Sequence, residues 1–348
     1  MALDWSKLSF NYTKTNTIIC SHFKDGEWSS LESSTSDQIT INALSGALHY
    51  GLEAFEGLKA YRGADGKVRL FRPEENARRL RRSGAYIGLE APSDTMFIEA
   101  CCRVVKENIE YLPPYESGAT MYIRPFIIGV GGQIGVHLSG ESMFIVAAMP
   151  IGSYFGKGFE PSRAVLASEH DRAAPMGTGS YKLGGNYAGT VLAGEIAKRQ
   201  GYSTVLYPDS AERRYVDEFS SANFFGIKGD TYITPESPSI LPSITNKSLL
   251  ELAPTLGLKT ERRELLIEEL SGFDEMGAVG TAVVISPIGR VDVKPGWERE
   301  GGCEAEIIKS YFAGESLTAG AVSLRLYNAL TGIQNGTEKD IFNWCLTI

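Results

Sequence analysis

The chain has 348 residues, enough for about two domains at roughly 150 residues each, which excludes a single small disulfide-stapled module. Apolar residues make up 43% and charged residues 22%, values of an ordinary folded protein rather than a disordered, fibrous or coiled-coil chain. With 34 Lys and Arg against 42 Asp and Glu the formal charge is −8, and the acidic residues are dispersed, so nucleic acid is not an expected partner.

Residues 1–14 mix polar, aromatic and charged side chains and lack the apolar core and cleavage site of a secretory signal, so a cytoplasmic protein is expected. Over residues 38–71 short strands alternate with turns. Asp65-Gly66, between Leu58-Lys59-Ala60-Tyr61 and Val68-Arg69-Leu70-Phe71, predicts a hairpin in a small antiparallel sheet. Pro73 opens a helix to about Ile87. Ser93-Asp94 opens another, whose Phe97, Cys101, Val104, Val105 and Asn108 recur at helical spacing up to Leu112. Strands return at residues 119–128 and 142–150, and residues 152–161, rich in glycine and aromatics without periodicity, read as the linker between domains. Beyond it come a strand at 164–167, an irregular glycine-rich segment at 175–185, and a helix from Asn186 to about Gln200 closed by Gly201. Strands at 202–207, 214–218, 223–228 and 231–234 precede a helix over 243–256. With no internal repeat and no regular βαβ alternation, the pattern predicts two α+β domains with a small-molecule cleft.

No window of 18 apolar residues exists, so no membrane span is expected. Cys20, Cys101, Cys102, Cys303 and Cys345 form no CxxC pair, and the histidines at 22, 49, 137 and 170 show no HxH or HExxH spacing. Free thiols and no metal site are therefore expected.

The chemistry concentrates at residues 177–187, Gly-Thr-Gly-Ser-Tyr-Lys-Leu-Gly-Gly-Asn-Tyr, where four glycines surround Lys182 just ahead of a predicted helix. A P-loop requires Gly-Lys-Ser/Thr, whereas Lys182 stands between Tyr181 and Leu183; the dinucleotide fingerprint needs a glycine where Lys182 stands. Both are set aside. What remains is a lysine on a backbone that can approach a ligand closely, between tyrosines that can keep water away. Partial desolvation turns a lysine into a nucleophile. On these residues alone, a surface lysine in a glycine-rich loop competes with that reading.

In order and spacing, His49-Tyr50-Gly51-Leu52-Glu53-Ala54-Phe55-Glu56-Gly57-Leu58-Lys59-Ala60-Tyr61, Leu70-Phe71-Arg72-Pro73, Tyr122-Ile123-Arg124-Pro125, Tyr181-Lys182-Leu183-Gly184-Gly185-Asn186-Tyr187 and Gly280-Thr281-Ala282 resemble the branched-chain-amino-acid aminotransferases. The resemblance spans nearly the whole chain. It implies a pyridoxal 5′-phosphate enzyme of fold type IV, with a mixed α+β architecture. A small N-terminal α/β domain (1–155), a linker (156–169) and a larger C-terminal pseudo-barrel domain (170–348) that binds the cofactor would have the site at their interface.

For the cofactor, the resemblance implies that Lys182 is the catalytic residue: it binds pyridoxal phosphate covalently and then moves the proton between the substrate α-carbon and C4′. Glu218 would hold the proton on the ring nitrogen; its neighbour Asp217 competes, but side chains alternate along a strand, so only one of the two faces the cofactor. Tyr187 would hydrogen-bond the phenolic oxygen. Arg78, Arg79, Arg81 and Arg82 are equivalent by charge pattern, and the resemblance alone selects Arg79 for the phosphate. Ile244 and Thr245 would donate backbone N–H groups to it from a helix start, with the Thr281 hydroxyl and Ser221 also at the cofactor.

For the substrates, Phe55, Tyr122 and Tyr154 would wall an apolar pocket, joined by Tyr50 and Val136 of a second subunit, which implies a homodimer or a larger homo-oligomer. The substrate carboxylate would rest on the N–H groups of Thr281-Ala282. Arg124 and Arg172 would lie near the pocket mouth, where the second carboxylate of glutamate must fit. The implied reaction exchanges an amino group between L-leucine, L-isoleucine or L-valine and 2-oxoglutarate by a ping-pong route. A redox-active CxxC found after this turn in some animal relatives is replaced here by Val283 and Ser286. A D-amino-acid aminotransferase or an aminodeoxychorismate lyase on the same scaffold, and a non-catalytic binding protein, are the rival readings.

Overall fold

A computed structural model of the chain describes residues 3–152, 159–299, 304–314 and 320–348. The chain forms two compact units: Met1–Gly156 with Tyr181–Gly184 and Gly332–Ile348, and Lys157–Ser180 with Gly185–Thr331. Tyr154 and Cys303 lie outside the described residues.

The first unit contains strands β1 (Ile18–Lys24), β2 (Glu27–Trp28), β3 (Glu32–Ser34), β4 (Glu53–Phe55), β5 (Leu58–Arg62), β6 (Val68–Phe71), β7 (Thr120–Gly129) and β8 (Ser142–Ile151), with helices α1 (Gly46–Tyr50), α2 (Pro73–Tyr86) and α3 (Asp94–Glu107). The sheet runs β6-β5-β7-β8-β1-β2, with β3 on β1 and β4 on β7. The predicted hairpin forms, Ala60 opposite Leu70, and Gly66 takes the left-handed conformation its turn demands at φ 75°. Leu80 of α2 and Phe97 and Val104 of α3 join Phe144 of β8 in one buried cluster. Truncating a fully buried phenylalanine such as Phe97 in a cluster of this kind costs about 3–5 kcal/mol.

Ser93 caps α3 as its sequence position predicts, its hydroxyl accepting the Met96 N–H at 3.2 Å. The helix ends at Glu107 rather than running to Leu112. Asn108 leaves the helical conformation, and its side-chain amide donates to the carbonyls of Val104 and Thr17 at 2.7 and 3.0 Å.

The second unit contains β9 (Ser162–Leu166), α4 (Gly185–Ala188), α5 (Val191–Arg199), β10 (Thr204–Pro208), β11 (Val216–Phe219), β12 (Asn223–Lys228), β13 (Thr231–Pro235), α6 (Ile244–Leu252), β14 (Lys259–Arg263), β15 (Glu275–Gly280), β16 (Val284–Val293) and β17 (Lys309–Phe312). Its sheet runs β11-β10-β9-β16-β15-β12-β13-β14, and β11 also pairs with β12. That extra pairing closes six strands into a ring, the pseudo-barrel expected from the sequence. Leu206, Phe219, Phe224 and Val291 are buried together in one cluster of this unit, and Val165, Ala197 and Trp297 in another.

Two predicted helices are interrupted. Between α4 and α5 the chain turns at Gly189-Thr190, where the Thr190 hydroxyl donates to the Tyr187 carbonyl at 2.9 Å. After α6 the chain tightens into a 3₁₀ turn, Ala253–Leu256, because Pro254 has no N–H to continue the α-helical ladder. Helix α7 (Ala321–Asn335) and a last strand, β18 (Cys345–Thr347), complete the chain.

Position along the chain does not decide which unit a segment joins. Strand β18 pairs with β6, Cys345 opposite Phe71, and Leu183 bridges to Ala54 beside β4. A division at residues 156–169 assigns both segments to the C-terminal side. Among the described residues no helix is long and apolar enough to cross a membrane, and no group of three or more His, Cys, Asp or Glu could hold a metal ion.

Candidate active site

The helical period of α2 sorts its four arginines. Residues Asn76, Arg79, Leu80 and Ser83 recur at the spacing of one helix face and are all buried. Arg78 and Arg81 face outward onto Glu75 and Asp94, and the Arg82 guanidinium lies over the Tyr181 ring. Arg79 meets a fully buried carboxylate: its Nε and Nη2 donate to Oε1 and Oε2 of Glu56 at 2.7 and 2.9 Å, and Asn76 Nδ2 donates to Oε2 at 2.7 Å. One turn further along the same face, the Ser83 hydroxyl accepts the Lys182 N–H at 2.9 Å.

Lys182 is thereby held from both sides, since its carbonyl accepts the Phe55 N–H at 3.1 Å. Its ammonium Nζ lies 4.6 Å from the centre of the Phe55 ring, and the Arg124 guanidinium lies 4.8 Å from that ring. Arg124 also donates to the Tyr122 hydroxyl at 3.1 Å. Tyr122 needs Gly57 beneath it, because a Cβ there would overlap the phenolic oxygen. Lys182, Phe55, Tyr122 and Arg124 therefore form one apolar and cationic group in the first unit. Tyr50 and Val136 are solvent-facing in the same unit, linked by a hydrogen bond from the Tyr50 hydroxyl to the Ile134 carbonyl.

In the second unit Glu218 is 3% exposed, opposite Asn223 in the β11–β12 ladder. Its Oε1 accepts from Leu241 N–H at 2.8 Å and forms an ion pair with the Arg172 guanidinium at 2.7 Å, and its Oε2 accepts from Asn223 Nδ2 at 2.8 Å. Burial pushes the Glu218 carboxyl up, and Arg172 with the two hydrogen-bond donors opposes that rise. Arg172, expected near a pocket mouth, is instead buried, also donating to the carbonyls of Gly179 and Ser239 at 2.8 and 2.6 Å. A buried carboxylate and a buried guanidinium each relieve the desolvation cost of the other, which explains the placement.

The Leu241 contact pins the chain just before α6. Ser243 caps that helix, accepting the Asn246 N–H at 3.2 Å, while the N–H groups of Ile244 and Thr245 meet no acceptor among the described residues. Asn246 Nδ2 donates to the Asn223 side-chain Oδ1 at 3.3 Å, tying the helix start back to the Glu218 ladder. Ser221 sits in the β11–β12 turn, and Thr281 and Ala282 in the β15–β16 turn. A Cβ built on Gly280 would lie 3.8 Å from the Ser221 carbonyl oxygen, so the two turns are neighbours. Val284 closes the second turn at φ 59°, a left-handed conformation that β-branched residues avoid at a cost of roughly 1–2 kcal/mol. Tyr187 lies half-buried in α4.

Sequence reasoning did not single out Ser83, Asn223 or the carboxylates of Glu53 and Glu56. Ser83 carried a signal, since it lies four residues after Arg79 on a helix and so shares its face. Asn223 and the Arg172–Glu218 pair carried none, because their contacts join loops and strands distant in sequence.

A family model described as amino-transferase class IV matches residues 53–291. The chain is 44% identical to a branched-chain-amino-acid aminotransferase of Helicobacter pylori over 350 residues, 99% of this chain and 98% of that protein. It is 42% identical to one of Haemophilus influenzae, with 99% of each chain covered. Among solved structures, the T.th. branched-chain amino acid aminotransferase with pyridoxamine 5′-phosphate superposes at a TM-score of 0.78 with 26% identity, covering 96% of this chain and 99% of that one. The Escherichia coli enzyme of the same description gives 0.75 with 29% identity and coverage of 96% and 99%. The chain belongs to the class IV aminotransferases, a family of pyridoxal 5′-phosphate enzymes.

Proposed function

We propose that this enzyme exchanges an amino group between L-leucine, L-isoleucine or L-valine and 2-oxoglutarate, giving the branched 2-oxo acid and L-glutamate. The observation that carries the reading is the Lys182 ammonium resting 4.6 Å from the Phe55 ring, an amine held against an apolar wall where a branched side chain can lie. Two features support the fit of pyridoxal phosphate itself. A buried carboxylate, Glu218, with lone pairs to spare suits a protonated ring nitrogen, and the open Ile244 and Thr245 N–H groups at the start of α6 suit a phosphate. When bound, the cofactor supplies the electron sink that makes the substrate α-proton removable and carries the amino group between the two half-reactions.

Lys182 holds the cofactor and moves the proton between the substrate α-carbon and C4′. Its main chain, fixed by Ser83 and Phe55, limits where that amine can reach. Glu218 keeps the proton on the ring nitrogen, and Arg172 acts through Glu218 by favouring its ionised form. Tyr187 takes the phenolic oxygen; Arg79, Ile244, Thr245 and the Thr281 hydroxyl take the phosphate, and Ser221 also meets the cofactor. The substrate carboxylate meets the N–H groups of Thr281 and Ala282. Phe55, Tyr122 and Tyr154 exclude water from the side chain, and Arg124 faces the second carboxylate of glutamate. Tyr50 and Val136 complete the pocket of a second subunit, so the working form is a homodimer or larger, and its place is the cytoplasm. The unit formed by Lys157–Ser180 and Gly185–Thr331 supplies Tyr187, Glu218, Ser221, Ile244, Thr245 and Thr281 to the cofactor, and Lys182 and Arg79 come from the other unit.

The test is the absorbance spectrum of the purified holoenzyme with L-leucine and no 2-oxo acid. Conversion of the lysine-bound cofactor band into that of the aminated cofactor is the expected result. A band unmoved by L-leucine and converted by a D-amino acid overturns the substrate assignment. Absence of any band after cofactor is added overturns the role of Lys182.

A further inference from the structure

Three buried polar side chains linked to Glu218 have no part in the reaction as described so far: Tyr232 and Thr234 of β13, and Asn246 in the first turn of α6. With Asn223 they form a chain of hydrogen bonds whose direction is fixed at one end. The Thr234 hydroxyl donates to the Phe224 carbonyl at 2.9 Å, so its oxygen is left to accept, and it accepts from Asn246 Nδ2 at 2.9 Å. Asn246 therefore turns its Oδ1 the other way, where the Tyr232 hydroxyl donates to it at 2.7 Å. The second hydrogen of Asn246 Nδ2 goes to Asn223 Oδ1 at 3.3 Å. That leaves Asn223 Nδ2 to face Glu218 Oε2 at 2.8 Å and the Leu241 carbonyl at 3.1 Å. Both hydrogens of each amide are used.

We propose that Asn246 is a positioning residue for Glu218: by donating to Asn223 Oδ1 it denies the Asn223 amide its reversed orientation, so that Glu218 meets an N–H donor and stays ionised. The inference rests on the reading of Glu218 as the partner of the cofactor's ring nitrogen. Reversed, Asn223 would turn its oxygen toward Glu218, and a carboxyl faced by an oxygen favours its protonated, donating form. The reversed amide would also set its NH2 against that of Asn246, two donors with no acceptor between them in a buried place. Thr234 enforces the same choice one step back, since reversing Asn246 would put its oxygen against the oxygens of Thr234 and Asn223. The charged groups acting on Glu218 are Arg172, which favours the ionised form, and Asp217, its neighbour in β11, which disfavours it; the Asn223 bond works with Arg172. A protonated Glu218 no longer holds the proton on the ring nitrogen. The consequence of losing Asn246 therefore falls on turnover rather than on substrate binding.

The experiment compares the wild-type chain with Asn246→Leu, Asn246→Asp, Thr234→Val and Thr234→Ser. It reads the titration midpoint of Glu218 in the full cofactor-free chain, by NMR of isotope-labelled glutamate carboxyls, with the signal assigned by its loss in Glu218→Gln. It also reads kcat and KM of each holoenzyme for L-leucine. Asn246→Leu removes the donor without adding charge and keeps the backbone N–H that Ser243 caps. It is expected to raise the Glu218 midpoint by about one pH unit and to lower kcat about tenfold with KM little changed. Asn246→Asp, which puts an oxygen where the donor was, is expected to raise the midpoint further. Thr234→Val removes the oxygen that orients Asn246 and is expected to shift the midpoint the same way, whereas Thr234→Ser keeps that oxygen and the wild-type midpoint. This second pair is the reading if the Asn246 variants do not fold. An unmoved midpoint in Asn246→Leu or in Thr234→Val overturns the proposal. So does a midpoint raised by Asn246→Asp alone, which assigns the effect to charge, or a Thr234→Ser chain shifted as far as Thr234→Val, which assigns it to packing. A raised midpoint with unchanged kcat overturns the role in turnover. A Glu218→Gln holoenzyme that turns over L-leucine like wild type overturns the reading of Glu218 itself, whatever the midpoints of the other variants.

Discussion

Arg79 and Glu56 are both buried, and every donor and acceptor named between them is used: two guanidinium hydrogen bonds at 2.7 and 2.9 Å and a third from Asn76 at 2.7 Å. A buried pair of this kind adds little net stability, because desolvation offsets the attraction, but removing one partner strands the other. Glu56→Ala is expected to cost about 3–5 kcal/mol in urea unfolding of the apoprotein. It should also weaken pyridoxal phosphate binding at least about tenfold, since Arg79 loses the carboxylate that aims it. Cofactor binding unchanged in Glu56→Ala would remove Arg79 from the phosphate site. Asp217, one residue before Glu218, presents the opposite case. It is buried, its Oδ1 has no partner among the described residues, and burial pushes its carboxyl up to about 6 from 3.8. The folded state then holds this proton more tightly than the unfolded chain, so the stability it contributes is full below about pH 4 and lost as pH rises through about 6. Asp217→Asn is expected to remove a pH-dependent loss on the order of 1–3 kcal/mol between pH 4 and 7. Chemical denaturation of both proteins across that range checks it, and parallel profiles would refute it. At this scale the sequence was legible where periodicity applies. The buried stripe of 76, 79, 80 and 83 on α2 separates Arg79 from Arg78, Arg81 and Arg82, a distinction that charge pattern alone did not make. The burial of Asp217 beside Glu218 was not legible, because strand alternation predicts opposite faces but not that both faces are covered.

Helix α6 shows how one element converts a local signal into a site. Ser243 caps it, and the cap leaves the Ile244 and Thr245 N–H groups unengaged and the positive end of the helix dipole exposed to a ligand. Ser243→Ala is expected to cost about 1 kcal/mol in stability. The same change should weaken cofactor binding by several-fold, because the first turn that presents both N–H groups frays. Equilibrium titration of the apoprotein with pyridoxal phosphate reads this, and an unchanged dissociation constant would place the phosphate elsewhere. The element boundaries that sequence reasoning missed share one physical cause. Asn108 and Thr190 each carry a short polar side chain whose bond to nearby carbonyls competes with helix continuation, and hydrophobic spacing does not register such a bond. Val284 shows the same limit from the other side. A valine carries no sign that its backbone will be left-handed, yet that conformation is what turns Thr281 and Ala282 between β15 and β16.

At the scale of the molecule, the first unit is assembled from three separated pieces of chain, and the surface it leaves apolar is telling. Ile134, Val136 and Leu138 are 74%, 86% and 72% exposed within a few residues of one another, and Leu48 and Tyr50 of α1 are exposed as well. The Tyr50 hydroxyl holds this loop through the Ile134 carbonyl, so the patch is built rather than frayed. Contiguous apolar surface of this kind suits an interface, and in the homodimer proposed above Tyr50 and Val136 would reach the substrate pocket of the other subunit. Val136→Asp places a charge in the middle of the patch. It is expected to shift the dimer toward monomer in sedimentation analysis and to raise KM for L-leucine by at least about tenfold, a loss of about 1.4 kcal/mol. Lys182→Ala alone is expected to be inactive while remaining dimeric. Mixing the two inactive or impaired proteins separates assembly from folding, because a mixed dimer holds one site with an intact Lys182 and a partner's intact Val136. Activity recovered on mixing, at concentrations where mixed dimers form, is the expected outcome. A Val136→Asp enzyme that stays dimeric with unchanged KM, or mixtures that recover nothing although mixed dimers are present, would mean that each chain completes its own pocket.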